Sequence, residues 1–379
     1  MDSAKKILIV SHYCLPHIGG IEQVVANQAV FLAENNFEVS VICCAAEDEI
    51  PGQGKWQQVS VFRLSPNNFV VRRFNIPFPL LGVRAIAKIW TSVKNSEMVH
   101  IHDVFYQTSW YAGLFAVCLR KPLYLTQHVA LVDHSSKMVT LVQKIVYSTI
   151  GTLLFRKARA IIVYNNYVKN FLEGCGVTPS KVFFIGNGID TNFFSPVQDI
   201  SQKQILRKEL GLPLDKILVL FAGRFVDKKG FAIAYASRSE KYQMVFVGSG
   251  DFPEDWKKTP GIIFLGPKKP EELALIYKAC DLFVLPTIGE VMTLTIQEAM
   301  ASGLPVVTTK NAAYSVYDLD PQAFFLVDRN FADIRDSLEK IATNSGQYNI
   351  AAQYSRTYAV QHFNWRINAK MLLEIYSKY

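Results

Sequence analysis

The chain has 379 residues, and half of them are apolar. This length and composition exclude a disordered protein and predict two globular domains, because one hydrophobic core rarely serves so long a chain. The net charge of +8 favours anionic partners such as nucleotides, phospholipids or nucleic acid, without choosing among them.

Short apolar runs alternate with helical patterns through the first half of the chain. Strands are predicted at residues 7–10, 39–44, 59–64, 98–101, 123–126, 160–163 and 182–185. Helices are predicted at residues 21–34 and 81–93, and further helical segments separate the later runs. Continuous apolar runs are typical of strands covered on both faces. Repeated strand–helix units therefore predict an α/β domain with a parallel sheet.

The same pattern restarts after a break near residue 195, where the polar run 198–203 is predicted to be a linker. Strands are predicted at residues 217–222, 243–247, 262–265, 282–285, 306–308 and 324–327, and helices at 231–239, 332–343, 349–362 and 365–377. The sequence thus predicts two α/β halves of similar size. Two such halves leave a binding cleft between the carboxyl ends of their sheets.

Two carboxylates flank a predicted helix start in the second half. Glu290 lies in the loop after the 282–285 strand, and Glu298 lies in a helix predicted to begin near Thr293 and to end at Gly303. A helix N-terminus at the carboxyl end of a strand favours a diphosphate, and nearby carboxylates can accept hydrogen bonds from sugar hydroxyls. The alternative is an ordinary N-terminal acid and one solvated glutamate.

Two loops at predicted strand ends have a composition that suits phosphate. Arg224 and Lys229 follow the first strand of the second half and can neutralise a diphosphate. Gly19 and Gly20 lie between the first strand and the first helix, where glycine lets the backbone approach a phosphate closely. A solvated basic loop and a plain tight turn are the respective alternatives.

A histidine and an Asp-x-Asp pair are weaker candidates. His128 follows the 123–126 strand and can move a proton or bind a sugar hydroxyl, although the residues alone favour a structural histidine. Asp318 and Asp320 form a pair of the kind that holds Mg²⁺ against a diphosphate. The adjacent Pro321 favours a solvated turn instead.

Taken together, five segments resemble the motifs of the retaining glycosyltransferases of family 4, which have the GT-B architecture. The segments are residues 16–22, 187–190, 223–230, 290–307 and 363–365. The resemblance covers nearly the whole chain. It implies two Rossmann-like parallel-sheet domains that face each other across a cleft, with a C-terminal helix that crosses back to the first domain. The implied parts are an acceptor-binding domain over residues 1–194, a nucleotide-sugar-binding domain over 195–360, and the returning helix over 361–379.

The resemblance also implies a role for each matching residue. The catalytic residues would be His128, Glu290, Arg224 and Lys229. Arg224 and Lys229 would bind the donor diphosphate, Glu290 the transferred sugar, and Glu298 the ribose. His128 would contact the sugar near the reaction centre. The remaining donor-binding positions would be Gly19, Gly20, Pro267, Lys268, Met292, Thr293 and Leu294.

The implied activity is transfer of a hexosyl group from a nucleoside diphosphate sugar to an acceptor hydroxyl, with retention and without a bound metal or other cofactor. A role in polysaccharide or glycoconjugate biosynthesis would follow. One departure is that Val291-Met292-Thr293 replaces the family's usual Gly-Phe-Gly, which narrows the backbone conformations available there. Two alternatives stay open: a catalytically silent nucleotide-sugar-binding subunit, and a sugar-nucleotide epimerase of the same fold.

Two segments of the first half, residues 69–94 and 137–159, carry basic and bulky apolar side chains but no acid. Such segments suit an anionic membrane surface, and an ordinary solvated helix face is the alternative. We expect peripheral docking on the cytosolic face of a membrane, which would reach a sugar, lipid or glycoconjugate acceptor. Nucleic acid is not an expected partner, because no nucleic-acid-binding module is recognisable.

The cysteines and the amino-terminal sequence predict a cytoplasmic protein. The six cysteines include no Cys-x-x-Cys pair, which argues against a zinc site and a disulfide framework. The first apolar run is too short for a signal peptide. The apolar stretch 138–155 contains Gln143 and Lys144 and is predicted to be a buried or surface helix rather than a membrane span.

Overall fold

The computed structural model describes residues 4–17, 20–46, 49–67, 80–131, 137–186, 188–289 and 292–378. The chain divides into two compact units, one formed by Met1–Asn187 with Asn368–Tyr379 and the other by Gly188–Ile367. The second unit therefore includes residues 188–194, which the sequence analysis places in the acceptor-binding domain, and residues 361–367, which it places in the returning helix.

These two short segments belong to the second unit because they pair with each other. Ile189 forms a parallel bridge with Asn364, and its N–H donates to the Phe363 carbonyl at 2.8 Å. Ile189 and Phe194 are also buried in the core of this unit. A sequence alone does not tell which of two cores such isolated apolar residues join.

The first unit is built on a sheet with eight strands among the described residues. The strands are β1 (Lys5–Val10), β2 (Phe37–Cys44), β3 (Gly52–Trp56), β4 (Val59–Leu64), β7 (Met98–His102), β8 (Leu123–Gln127), β9 (Ala160–Val163) and β10 (Val182–Phe184). Their order is β10-β9-β8-β7-β1-β2-β4-β3, and a separate short ribbon pairs β5 (Pro66–Asn67) with β6 (Leu80–Leu81).

This sheet is not wholly parallel, contrary to the prediction. β3 pairs antiparallel with β4 and forms the edge of the sheet. The sequence does not indicate this strand, because it contains Gly52 and Gly54 and is not buried. A tight hairpin turn, with Gln57 at φ 51°, connects β3 to β4. A parallel neighbour would need a crossover helix between the two strands, and the sequence shows no such helix here.

Helices cover both faces of the first sheet. They are α1 (Gly20–Glu34), α2 (Val83–Asn95), α3 (Gln107–Cys118), α4 (Lys137–Val146), α5 (Thr152–Lys157) and α6 (Asn166–Gly174). Alternate residues of β1 point to opposite faces, so Ile7 and Ile9 join one core layer while Leu8 and Val10 join the other. Because such strands are buried on both faces, they are continuous apolar runs, and the sequence predicts them well.

The apolar stretch 138–155 forms α4, a π-helical turn at Tyr147–Gly151 and most of α5. Tyr147, Leu154 and Phe155 are buried, so the stretch packs on the domain. None of the helices in the described ranges is long and apolar enough to cross a membrane.

The second unit has a wholly parallel sheet in the order β13-β12-β11-β14-β15-β16. Its strands are β11 (Leu218–Ala222), β12 (Gln243–Val247), β13 (Ile262–Gly266), β14 (Leu282–Leu285), β15 (Val306–Thr309) and β16 (Phe325–Val327). The helices are α7 (Ile200–Glu209), α8 (Phe231–Ala236), α9 (Glu254–Lys257), α10 (Pro270–Ala279), α11 (Leu294–Ala301), α12 (Phe331–Thr343) and α13 (Ser345–His362).

The predicted linker at residues 198–203 is instead the start of α7. Asp199 caps this helix by accepting a hydrogen bond from the Gln202 N–H at 2.8 Å. Further along it, the buried Arg207 makes an ion pair with Asp281 at 2.6 Å. The prediction is wrong here because a cap and a buried arginine hold the helix, and neither produces an apolar periodicity.

The last helix, α14 (Trp365–Lys378), contributes its residues from Asn368 onward to the first unit. The Asn368 side chain donates to the Gly186 carbonyl at 2.8 Å, and the buried Tyr376 contacts His100 and Tyr124. The end of the chain thus fills part of the first core, in the same layer as Ile7.

Candidate functional site

Each sheet has one point where the strand order changes direction. In the second unit, β12 and β13 lie on one side of β11, and β14, β15 and β16 lie on the other. In the first unit, β2 and β4 lie on one side of β1, and β7 to β10 lie on the other. Loops that leave the carboxyl ends of the two central strands diverge there and open a crevice, which is where open α/β sheets bind ligands.

In the second unit, the loop after β11 rests directly on the loop after β14. Gly230 ends the first loop in the left-handed conformation, with φ 72°. A Cβ atom at this position would lie 2.2 Å from the Pro286 carbonyl oxygen, so only glycine fits the contact. The close approach brings residues 224–230 and 286–289 to one edge of the sheet.

Hydrogen bonds fix these two loops to each other. The Ile288 N–H donates to the Lys228 carbonyl at 2.9 Å. Arg329, which follows β16, donates through Nε to the Pro286 carbonyl at 2.9 Å and through Nη2 to the Asp227 carbonyl at 2.5 Å. The backbone that carries Lys229 is therefore held in place by contacts from the loop after β14 and from the residue Arg329 after β16.

Arg224 and Lys229 are two of the cations at this crevice. Arg224 is exposed, and within the described part of the chain its guanidinium has no hydrogen-bond or ion-pair partner. Lys229 is half-buried and closes a short 3₁₀ turn, Asp227–Lys229. An unpaired guanidinium beside a rigidly held lysine suits a doubly charged anion.

Glu298 lies on α11, which starts at the same edge of the sheet. Thr293 caps this helix, and its hydroxyl accepts a hydrogen bond from the Ile296 N–H at 3.4 Å. The buried Tyr277 hydroxyl donates to Glu298 Oε2 at 3.0 Å. Burial raises the pKa of Glu298 to about 7, and the Tyr277 hydrogen bond opposes that shift only in part.

The raised pKa of Glu298 predicts a pH-dependent stability. A carboxyl whose pKa is higher in the folded protein stabilises the fold fully below its ordinary pKa of 4.5 and loses this contribution as pH rises through 7. We expect Glu298→Gln to flatten the fall in unfolding free energy over this window, since glutamine still accepts from Tyr277. Urea unfolding at a series of pH values from about 4.5 to above 7 measures the unfolding free energy of both proteins. The exposed Glu271→Gln is the control, and an unchanged slope in Glu298→Gln contradicts the assignment.

At the switch point of the first sheet lies a cavity of about 230 Å³. Residues after β1, at the end of and after β7, and at the start of α1 line it: Ser11, His12, Tyr13, His17, Ile21, Glu22, His102, Asp103 and Tyr106. The His12 ring stacks on Tyr106 with centroids 3.7 Å apart. The buried Nε2 atoms of His12 and His102 have no hydrogen-bond partner among the described residues. Unsatisfied buried nitrogens facing a cavity point to a polar ligand.

Two hydrogen bonds connect His128 to residues that line this cavity. Its Nε2 atom lies 3.1 Å from His102 Nδ1, and its backbone N–H donates to Asp103 Oδ1 at 2.8 Å. Burial keeps the imidazole neutral, because it lowers the pKa of His128 well below its ordinary value. Burial also raises the pKa of Asp103 to about 7, against the effect of two backbone N–H donors. His128 is thus one member of a buried cluster rather than an isolated histidine.

The sequence alone does not single out His12, His102, Asp103 or Tyr106 as site residues. The signal was available in principle, because all four follow or end β1 and β7, the two strands at the switch point. Recognising it requires the strand order, which apolar runs do not reveal. Gly20 is the first residue of α1, and Gly19 lies outside the described residues.

The same region contains a disulfide that the cysteine spacing does not predict. Cys14 and Cys43 are bonded, with Cα atoms 5.9 Å apart, while the remaining cysteines are free. Cys14 follows β1 and Cys43 is near the end of β2, and these strands are neighbours in the sheet. The pairing therefore depends on tertiary structure and not on a local motif.

Comparison with known proteins identifies the family. Residues 18–193 match Glycosyltransferase Family 4, and residues 202–358 match Glycosyl transferases group 1. The chain is a group 1 glycosyltransferase of the family 4 type. An uncharacterized glycosyltransferase of Methanocaldococcus jannaschii is 24% identical to it, over 98% of each chain.

Solved structures agree with this family in fold. A sucrose-phosphate synthase of Thermosynechococcus elongatus matches 99% of this chain and 98% of its own, with a TM-score of 0.77 and 19% identity. Anabaena HepE in complex with UDP-glucose matches 99% of this chain and 100% of its own, with a TM-score of 0.73 and 18% identity. The glycosyltransferase thus has two Rossmann-like domains of the GT-B class, and at these identities the likeness establishes the fold alone.

The replacement of Gly-Phe-Gly by Val291-Met292-Thr293 in this glycosyltransferase affects the backbone at Met292. This residue is buried and has φ 48°, a left-handed conformation that costs a side-chain-bearing residue energy. The Gln297 side chain donates to its carbonyl at 2.8 Å and helps to hold it. Leu294 follows as the first residue of α11, whereas Glu290 and Val291 lie outside the described residues.

The other predicted positions lie further from the switch point of the glycosyltransferase. Pro267 and Lys268 follow β13, the outermost strand on one side, and Lys268 pairs with Glu272 at 3.4 Å on the surface. Asp320 accepts a hydrogen bond from the Gln322 N–H at 2.9 Å within a turn. Among the described residues, no cluster of His, Cys, Asp or Glu is arranged to hold a metal.

Proposed function

We propose that this glycosyltransferase moves a hexosyl group from a nucleoside diphosphate sugar to an acceptor hydroxyl, with retention of anomeric configuration and without a metal or other cofactor. One observation carries the proposal. Two cations lie on a loop that is fixed to its neighbour at the switch point of the second sheet, and the half-buried Glu298 lies on the helix that starts at the same edge. This is the edge at which a parallel sheet binds a nucleotide.

The donor site follows from the chemistry of that edge. Arg224 and Lys229 neutralise the diphosphate, with help from the free N–H groups at the start of α11. Glu298 accepts hydrogen bonds from the ribose hydroxyls, and Glu290 holds the transferred sugar. Pro267 and Lys268 lie near the base. The HepE complex with UDP-glucose supports a nucleotide-sugar donor as the ligand class.

In the proposed reaction, the bond between the anomeric carbon and the β-phosphate oxygen breaks while the acceptor oxygen bonds to the same face of that carbon. The acceptor proton passes to the departing phosphate oxygen, so no protein nucleophile is required. Arg224 and Lys229 stabilise the negative charge that develops on the leaving diphosphate. The backbone that carries them is held in place, since their loop is fixed to its neighbour.

The cavity in the first unit supports a role in binding the reacting sugar and the acceptor. A neutral His128 donates or accepts a hydrogen bond without adding a charge near the reaction centre. Asp103, His12 and His102 offer further polar atoms along the same wall. Gly19 and Gly20 allow the backbone to approach the diphosphate. We place the enzyme in glycoconjugate or polysaccharide synthesis at the cytosolic face of a membrane.

A panel of nucleoside diphosphate sugars tests the proposal. We expect one donor to bind in calorimetry and to be hydrolysed slowly without acceptor, with release of the α-anomer from an α-linked donor by NMR. At pH 8, above the raised pKa of Glu298, Glu298→Gln should weaken binding about tenfold or more, because a charged acceptor of two ribose hydrogen bonds is lost. The exposed Glu271→Gln is the control. Binding without hydrolysis or transfer would instead favour a silent subunit, and no binding at all would reject the donor site.

A further inference from the structure

The first unit contains a second cavity, a groove of about 590 Å³ between α4, α5 and α6. Its apolar lining includes Leu131, Ile145, Tyr147 and Phe171. Lys144 and Arg156 also line it, and both side chains are exposed. We call this cavity the α4–α6 groove. Its size and largely apolar lining are those of a site for a small organic molecule rather than for water.

The surface beside the α4–α6 groove is apolar and basic at once. Leu141, Ile145 and Leu153 are exposed by 57%, 53% and 41%, although α4 and α5 are otherwise packed on the domain. Residues 137–159 contain no acid. Glu173, next to the lining residue Gly174, is paired with Lys169 at 3.8 Å. The electrostatic character of this face is therefore positive, which complements an anionic lipid surface.

The floor of the groove contacts the segments that carry the polar cavity of the same unit. Tyr147 is buried in the floor, and its hydroxyl lies 3.5 Å from the Gln127 amide nitrogen. Gln127 precedes His128 in the chain and donates to the Val129 carbonyl at 2.6 Å. On its other side Tyr147 contacts Phe105, which lies between Asp103 and Tyr106 in the loop after β7. One wall of aromatic and amide groups thus separates the groove from the His102–His128 pair.

We infer that the α4–α6 groove holds the hydrocarbon chain of an anionic lipid acceptor, taken from the bilayer on which this face rests. Lys144 and Arg156 bind the phosphate of that lipid at the mouth of the groove. The Arg156 guanidinium is fixed there by the hydrogen bond from its Nε to the Cys175 carbonyl at 3.0 Å. Leu141 and Leu153 enter the membrane interface. This inference rests on the proposed function and deepens it by naming the acceptor class.

Two cysteines allow a direct test in the native chain. Cys175 lines the groove and is half-buried, Cys118 is free and exposed elsewhere on the first unit, and Cys44 and Cys280 are buried. We expect vesicles of phosphatidylcholine and phosphatidylglycerol to slow maleimide labelling of Cys175 about tenfold, as a site nine-tenths occupied would. Labelling of Cys118 should not change. Phosphatidylcholine vesicles and inorganic phosphate should protect neither thiol.

Two surface variants connect this protection to the groove. Lys144→Glu and Ile145→Asp should abolish both Cys175 protection and co-sedimentation with the anionic vesicles. Their exposed counterparts on the second unit, Lys258→Glu and Ile350→Asp, serve as matched controls and should behave as wild type. Since all four side chains are exposed, circular dichroism and thermal melting should report intact folds.

Several outcomes would overturn the inference. They are no protection of Cys175, equal protection of Cys118, protection by phosphatidylcholine vesicles or inorganic phosphate, or full protection in Lys144→Glu and Ile145→Asp. Hydrolysis of the donor by the wild-type enzyme, measured without lipid, tests the proposed function separately. If hydrolysis occurs and Cys175 stays unprotected, the lipid acceptor alone is rejected.

Discussion

Lys229→Ala is expected to lower kcat/KM for sugar transfer by about 10²–10³-fold, the usual cost of removing one pre-positioned group that stabilises transition-state charge. The loss should be mainly in kcat, because the charge on the leaving diphosphate is greatest in the transition state. The fold should persist, since Lys229 is only half-buried and its turn is held by backbone contacts with residues 286–288 and by Arg329. Steady-state transfer assays and thermal melting measure the two effects.

The exposed Lys258→Ala is the matched control for Lys229→Ala, because it removes the same side chain from the same unit away from the crevice. Lys229→Arg keeps the charge and should recover part of the rate. The resemblance to family 4 implies a comparable loss for Glu290→Ala. Turnover at the wild-type rate in Lys229→Ala would exclude the proposed donor site.

The fold of this protein is predictable from its sequence where strands are buried on both faces. Strands such as β8 and β12 are continuous apolar runs, so their predicted and observed limits agree closely. The apolar pattern does not predict β3 or α7, because β3 is held by hairpin pairing and α7 by an aspartate cap and a buried Arg207–Asp281 pair. Interactions of this kind depend on partners that are distant in the chain.

The sequence predicts the individual loops of the candidate site, but it does not predict the contacts between these loops. The position of Arg224 and Lys229 after an apolar strand indicates a ligand-binding edge. To predict the contact of Gly230 with the Pro286 carbonyl, or the hydrogen bond from Arg329 to the same carbonyl, one must know the order of the strands in the sheet. The same is true of the His102–His128 pair, which joins two strand ends that are 26 residues apart in the chain.

Gly230→Ala should lower the free energy of unfolding by about 2–5 kcal/mol, from the left-handed backbone and from overlap with the Pro286 carbonyl oxygen. Gly211→Ala separates these two causes. Gly211 also has a left-handed φ, 65°, but no atom lies within 4 Å of the Cβ that alanine would add. Only the backbone cost of about 1–2 kcal/mol should remain there.

The difference between the losses of unfolding free energy in Gly230→Ala and Gly211→Ala measures how closely the loop after β11 packs on the loop after β14. Urea unfolding followed by tryptophan fluorescence and circular dichroism gives both values, provided that the two probes report one transition. Because relief of the overlap must move residues 224–230 away from Pro286, Gly230→Ala should also weaken nucleotide binding, whereas Gly211→Ala should not. Equal destabilisation at the two positions, with nucleotide binding intact in both, would mean that the loop contact does not hold Lys229 in place.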